Sequence, residues 1–275
     1  MTPPDDVTPA RTAGLLPYAE ELRTRVLASS ATWTQLEVVG STGSTNADLA
    51  QRAREGAPHG AVLVADHQST GRGRLQRSWS APPGTSVAMS VLLRPQRSDG
   101  WSWLPLATGI AVADAVRGAG AAAALKWPND VLVDDHKLAG ILVERVETDQ
   151  GRAVVIGCGL NTTATADELP VPTATSLAEV GVTGSPLDAM VGVLLRWDRM
   201  MAFWAAQEND DLLGDMYANR CSTLGRQVRA QLATTEVVGR ATGIDATGGL
   251  LVQTDRGEVT VVAGDVVHLR PSVPA

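Results

Sequence analysis

The sequence predicts an α+β fold, a mixed and largely antiparallel sheet with flanking helices, followed by a small β-barrel. Three observations predict it. Apolar runs of strand length recur between residues 61 and 161, several joined by tight polar turns. Amphipathic stretches with helix start signals stand apart from the hairpins, which predicts no βαβ alternation. From Gly225 the pattern changes to short alternating segments separated by Gly-rich turns. The boundary is therefore placed between a main unit, residues 1–222, and a small unit, residues 223–275.

Residues 1–14, rich in Pro, Thr and Asp, read as a loose tail, and a short helix follows from about Pro17 to Ser29. Gln35 to Val39 is a strand that runs into Gly40-Ser-Thr-Gly-Ser-Thr-Asn46. Thr45 with Asp48 matches a capping box, so residues 46–55 form a helix that Gly56 ends. Ala61 to Asp66 is continuously apolar, as a strand buried on both faces would be. Gln68 to Gly84 has no apolar periodicity and is dense in Gly, Ser, Pro and Arg. Loops this long in compact domains are functional or disordered. Its low apolar content predicts that ligand is needed to order it.

Ser86 to Leu93 is the next strand, Leu104 to Arg117 a helix, and Ala123 to Trp127 a strand. Pro128-Asn129-Asp130 turns the chain into Val131 to Val133, and Asp134-Asp135-His136 turns it again. Leu138 to Val146 and Ala153 to Asn161 complete the strands of the main unit. Ser185 as N-cap with Pro186 at the first helical position starts a helix to about Gln207, and a shorter one spans Asp211 to Asn219. The small unit has four strands: Val228 to Leu232, Glu236 to Asp245, Leu250 to Thr254 and Glu258 to Val262.

Composition narrows the function. The 23 basic and 30 acidic residues leave a net charge of −7, which argues against general binding to a nucleic-acid backbone. Two cysteines and four scattered histidines offer neither a disulfide framework nor a zinc spacing, and a reducing cytoplasm is the simplest home. The longest uncharged run, Gly100 to Ala113, is too short to span a bilayer and contains Pro105. With ten aromatic residues, the core is expected to rest on Ala, Val, Leu and Ile. Among the 23 basic residues only Lys126 and Lys137 are lysines, a pairing that suits a compact ammonium where a guanidinium cannot serve.

Three motifs carry chemistry. In Gly71-Arg72-Gly73-Arg74 the glycines let backbone approach a ligand while the arginines fork onto carboxylate or phosphate. It does not open a helix, so it is no dinucleotide fingerprint, and the chain contains no GxxxxGK[ST] phosphate loop. Lys126-Trp-Pro-Asn-Asp130 puts an ammonium at a strand end before a tight turn. Gly157-Cys-Gly-Leu-Asn161 ends an apolar strand with glycines that admit a ligand or another backbone. Cys158 has apolar flanks and no nearby base, which reads as a buried structural thiol.

Ser44-Thr-Asn46, Gln68 to Arg74, Lys126 to Asp130, Lys137-Leu-Ala-Gly-Ile-Leu-Val-Glu144 and Gly157 to Asn161, in that order, resemble the biotin protein ligases over roughly residues 38–165. The resemblance implies a class II synthetase-like biotin/lipoate ligase fold with an SH3-like C-terminal barrel. It implies condensation of biotin with ATP to biotinoyl-adenylate with release of pyrophosphate, Mg²⁺ arriving with the nucleotide rather than in a protein-built site. The acyl group then passes to a lysine of a biotin carboxyl carrier domain of acyl-CoA or pyruvate carboxylases. Carried over, the biotin-binding residues are Ser44, Thr45, Asn46, Gln68, Gly71, Arg72, Gly73, Arg74, Lys126, Gly140, Gly157 and Gly159. The nucleotide-binding residues are Arg72, Arg74, Lys126, Asn129, Lys137 and Asn161, with Lys126 and Arg72 catalytic. Only 43 residues precede Ser44 and they are not basic, so a form without the family's DNA-binding domain is expected, with no DNA or membrane partner. A lipoate ligase or acyltransferase of the same fold and a non-catalytic biotin-responsive regulator are the alternatives.

Overall fold

A computed structural model describes residues 14–207, 210–232 and 234–269, so the expected tail lies outside them except for Gly14. Among these residues the strands form two sheets. The first runs in spatial order β1 (Gln35–Val39), β2 (Ala61–Ala65), β3 (Ser86–Leu93), β7 (Gly151–Asn161), β6 (His136–Thr148), β5 (Asp130–Val133) and β4 (Ala123–Lys126). Helices α1 (Ala19–Leu27), α2 (Thr45–Arg54), α3 (Leu104–Gly118), α4 (Pro186–Ala206) and α5 (Asp211–Ala218) flank it.

Every residue of β2 and β3 is buried because both faces of the sheet are covered. The period of two divides them. Ala61 and Leu63 pack with Leu49 and Ala53 of α2, whereas Val62 and Val64 belong to the larger core with α3 and α4. The mixed α+β architecture is as predicted, with one correction. β1 and β2 are parallel, with Gln35 opposite Ala61 and Val39 opposite Ala65, and α2 crosses between them as a βαβ unit. The remaining pairs of this sheet are antiparallel hairpin partners or neighbours. The start of α2 also shifts by one residue. Ser44 is the N-cap and accepts from Ala47 N, while Asp48 accepts from the Thr42 hydroxyl rather than closing a capping box on Thr45.

The second sheet is antiparallel throughout, in the order β11 (Gly257–Val261), β10 (Leu250–Thr254), β9 (Glu236–Ile244), β8 (Gln227–Gln231) and β12 (Asp265–His268). This five-stranded sheet agrees with the SH3-like expectation. β12 is a strand that the periodicity did not reveal, being four residues long with polar ends.

Tryptophan fixes the small sheet against the main unit, a larger part in the core than its count suggested. Trp103 and Trp127 are almost wholly buried, and their indole N–H groups donate to Ala246 O (3.0 Å) and Gly248 O (2.9 Å) in the β9–β10 turn. Ser102 Oγ donates to Thr247 O between them at 2.7 Å. Among the described residues no helix is long and apolar enough to cross a membrane.

Candidate active site

The N-terminus of α2 opens onto a cavity of about 130 Å³ beneath the sheet's central strands. Its polar end is a hydrogen-bond net of uncharged side chains that ends on the Glu144 carboxylate. Thr45 N and Thr45 Oγ1 both donate to Gln68 Oε1, at 2.8 and 3.0 Å. Ser90, fully buried in β3, donates to Thr45 Oγ1 at 2.7 Å and lies 2.6 Å from Asn46 Oδ1. Asn46 Nδ2 donates to Glu144 Oε2 at 2.8 Å. A Cβ on Gly157 would stand 2.2 Å from Asn46 Oδ1, so that position must be glycine for the net to close.

Gln68 to Gly84 contains a small hairpin. Trp79 N donates to Gly71 O (2.9 Å) and Gly73 N to Arg77 O (2.7 Å), with Leu75 left-handed at the tip. The hairpin lays the Trp79 indole over Gly140 and Gly159, which face each other across β6 and β7. A Cβ on Gly159 would lie 2.4 Å from the indole, and its N–H is buried with no acceptor.

A second, open cleft of about 1420 Å³ shares Trp79 with the small cavity as a lining residue. Its walls are Lys126, Lys137, Asp130 and Asn161 from the main sheet, Pro170, Val171, Thr173 and Ala174, and Arg226, Asp265 and His268 from the small unit. Most cations in the two spaces already have a carboxylate. Arg72 pairs with Glu144 (3.3 Å), Arg77 with Asp265 (2.5 Å), Lys137 with Asp130 (2.7 Å) and Arg226 with Asp135 (2.9 Å). Two do not: among the described residues no ion pair holds Arg74 or Lys126. Arg74 makes one long bond, to Asn129 Oδ1 at 3.4 Å, and burial pulls its guanidinium below the ordinary value, opposed by the more distant Asp130 and Asp265. A desolvated cation without a partner favours an anion beside it. The site therefore offers a neutral hydrogen-bonding pocket and an anion-hungry junction.

Residues 38–161 match the "Biotin/lipoate A/B protein ligase family" and residues 223–269 the "Biotin protein ligase C terminal domain". The chain is 42% identical to the biotin--[acetyl-CoA-carboxylase] ligase of Mycobacterium tuberculosis over 259 residues, covering 90% of this chain and 94% of that one. The chain belongs to the biotin protein ligase family. It is 31% identical over 232 residues to the bifunctional ligase/repressor BirA of Escherichia coli, covering 71% of that protein. Among solved structures, the Aquifex aeolicus biotin protein ligase in complex with biotin and ATP superposes with TM-score 0.76 at 25% identity, over 86% of this chain and all of that one.

For this family member the residues named from sequence divide between the two spaces. Ser44, Thr45, Asn46, Gln68, Arg72, Gly73, Arg74, Asn129, Gly140, Gly157 and Gly159 line the small cavity. Lys126 and Asn161 line the cleft instead, Lys137 lines both, and Gly71 lines neither, backing the hairpin against Trp79 O. The Asn161 amide donates to Thr175 O at 2.8 Å. Cys158 is buried, and desolvation pushes its thiol up to about 12, as a structural thiol should be. Sequence reasoning missed Ser90 and the small unit's Arg226, Asp265 and His268. Glu144 was quoted in a motif without a task. Ser90 had one signal, a lone hydroxyl in an otherwise apolar strand run. Among the described residues no group of three or more His, Cys, Asp or Glu side chains is placed to hold a metal ion.

Proposed function

We propose that this chain is an ATP-dependent biotin protein ligase. It joins biotin to ATP as biotinoyl-5′-AMP and passes the acyl group to a lysine of a carboxylase's biotin carrier. The observation that carries the residue assignment is the pair of unpaired cations, Arg74 on the small cavity and Lys126 on the cleft. In this reading the ureido ring sits in the neutral net of Thr45, Asn46, Gln68 and Ser90, and the valerate chain runs along the glycine floor. The carboxylate then meets the α-phosphate between Arg74 and Lys126. The carboxylate oxygen attacks phosphorus, the bond to pyrophosphate breaks, and both cations stabilise the charge that gathers on the phosphoryl oxygens. Arg72, Asn129, Lys137 and Asn161 hold the nucleotide around that point. No side-chain nucleophile is required, which suits the inert Cys158.

Residues 1–222 are read as the catalytic unit and 223–275 as the unit that closes the cleft. The carrier is the biotin domain of an acyl-CoA or pyruvate carboxylase, and two free, buried cysteines suit a reducing cytoplasm. Pyrophosphate release measured with ATP plus biotin, and separately with ATP plus lipoate, tests the reading. Biotin-dependent release alone supports it, and release with lipoate alone replaces it with the lipoate reading.

A further inference from the structure

His268 of β12 lines the cleft near Lys126, and the mechanism above gives it no task. Both ring nitrogens are engaged: Thr223 Oγ1 lies 3.0 Å from Nε2, and Arg226 Nη1 lies 3.3 Å from Nδ1. A guanidinium only donates, so Nδ1 accepts, and Nε2 carries the proton and donates to Thr223. The same Thr223 oxygen accepts from Trp127 N at 3.1 Å. The ring is thus two hydrogen bonds from the backbone that presents Lys126.

The charged groups around His268 come from several elements. Lys126 ends β4, Arg226 precedes β8, Asp135 lies in the β5–β6 turn, and Asp265 begins its own strand. Burial, then Arg226, then Lys126 drive the imidazole down to about 4, with Asp135 opposing them. The ring is neutral at pH 7, and Arg226 divides its donors between that ring and Asp135. A polyanion in the cleft reverses the field. It attracts Arg226 and Lys126, and it favours positive charge on the imidazole they now oppose.

We propose that the small unit supplies a second anion site for the nucleotide's polyphosphate, in which Arg226 leaves His268 for a phosphate oxygen and His268 Nδ1 takes up a proton from solvent. The N–H···N bond to Nδ1 is exchanged for N–H···O on phosphate, and the freed lone pair forms the new N–H bond. This rests on the ATP reading above.

Calorimetric titration of the full chain with Mg·ATP, in buffers of different ionisation enthalpy, counts the protons bound. Wild type takes up about half a proton more per ATP than His268→Asn or His268→Gln at pH 6.5, and less than that at pH 7.5. Subtracting the variants removes protons exchanged by the nucleotide itself. His59→Asn, at a histidine that accepts from Arg94 N outside both spaces, keeps the wild-type uptake. Arg226→Gln weakens inorganic pyrophosphate and ATP roughly tenfold and leaves biotin affinity unchanged. Equal uptake by wild type and whichever His268 variant folds overturns the proposal. Failure of wild type to release pyrophosphate with biotin overturns the ligase reading instead.

Discussion

The small cavity and the large cleft solve opposite problems. At the polar end of the cavity, away from Arg74, the working groups are uncharged side chains on regular structure: Thr45 and Asn46 on the first turn of α2, Ser90 inside β3, the glycines on β6 and β7. In the cleft they are charged, stand at strand ends and turns, come from both units, and are mostly paired. On the proposed reading, recognition of the uncharged ureido ring is set by folding itself. Handling a charge that moves during reaction requires cations that can change partners.

The largest break in that comparison is at Lys126. Lys126→Ala lowers adenylate formation by about 10² to 10³, the loss typical of removing one preorganised donor. Lys126→Arg is also impaired, because a planar fork replaces a compact ammonium. Near-normal pyrophosphate release by both variants withdraws its role. Ser90→Ala breaks the other side: biotin KM rises roughly tenfold with ATP KM unchanged, since a buried net loses one member. A larger effect on ATP KM than on biotin KM removes the division between the two spaces.

Limited proteolysis sharpens the comparison at the hairpin that separates them. Trypsin cuts first within residues 72–77, and biotin with ATP suppresses that cut as Arg74 gains an anion. Arg94 is the internal control, its guanidinium bound to Ala53 O and Ala57 O at 2.8 and 3.0 Å. Equal cutting with and without both ligands shows that the hairpin is not ordered by substrate. The smallest effect is at Cys158, which lines the cavity with its thiol held at about 12. Iodoacetamide at pH 8 leaves it unmodified in the folded protein, as read by mass spectrometry, and rapid alkylation contradicts that burial.

Much of the fold was legible because burial writes itself into periodicity. Gln35 to Val39 and Ser86 to Leu93 begin and end where the alternation and the apolar run predicted. Strand direction leaves no such mark, so the parallel pairing of β1 with β2 went unread. The cavity was legible where several neighbouring residues act together, as in Ser44-Thr-Asn46. The cleft was legible only on its main-unit side. Arg226, Asp265 and His268 lie a hundred or more residues beyond Lys126 in the chain, and no local pattern announces that tertiary packing brings them there.

Gly140, Gly159 and Trp79 form a mould and its cast: two bare backbone positions on adjacent strands and the indole that fits them. A methyl on Gly159 would meet that ring at 2.4 Å, so a larger floor is admissible only with a smaller lid. Inherited separately, either change is a collision or a void. Changed together, they redraw the height of the pocket, so the three positions act as a single dial for the thickness of ligand admitted.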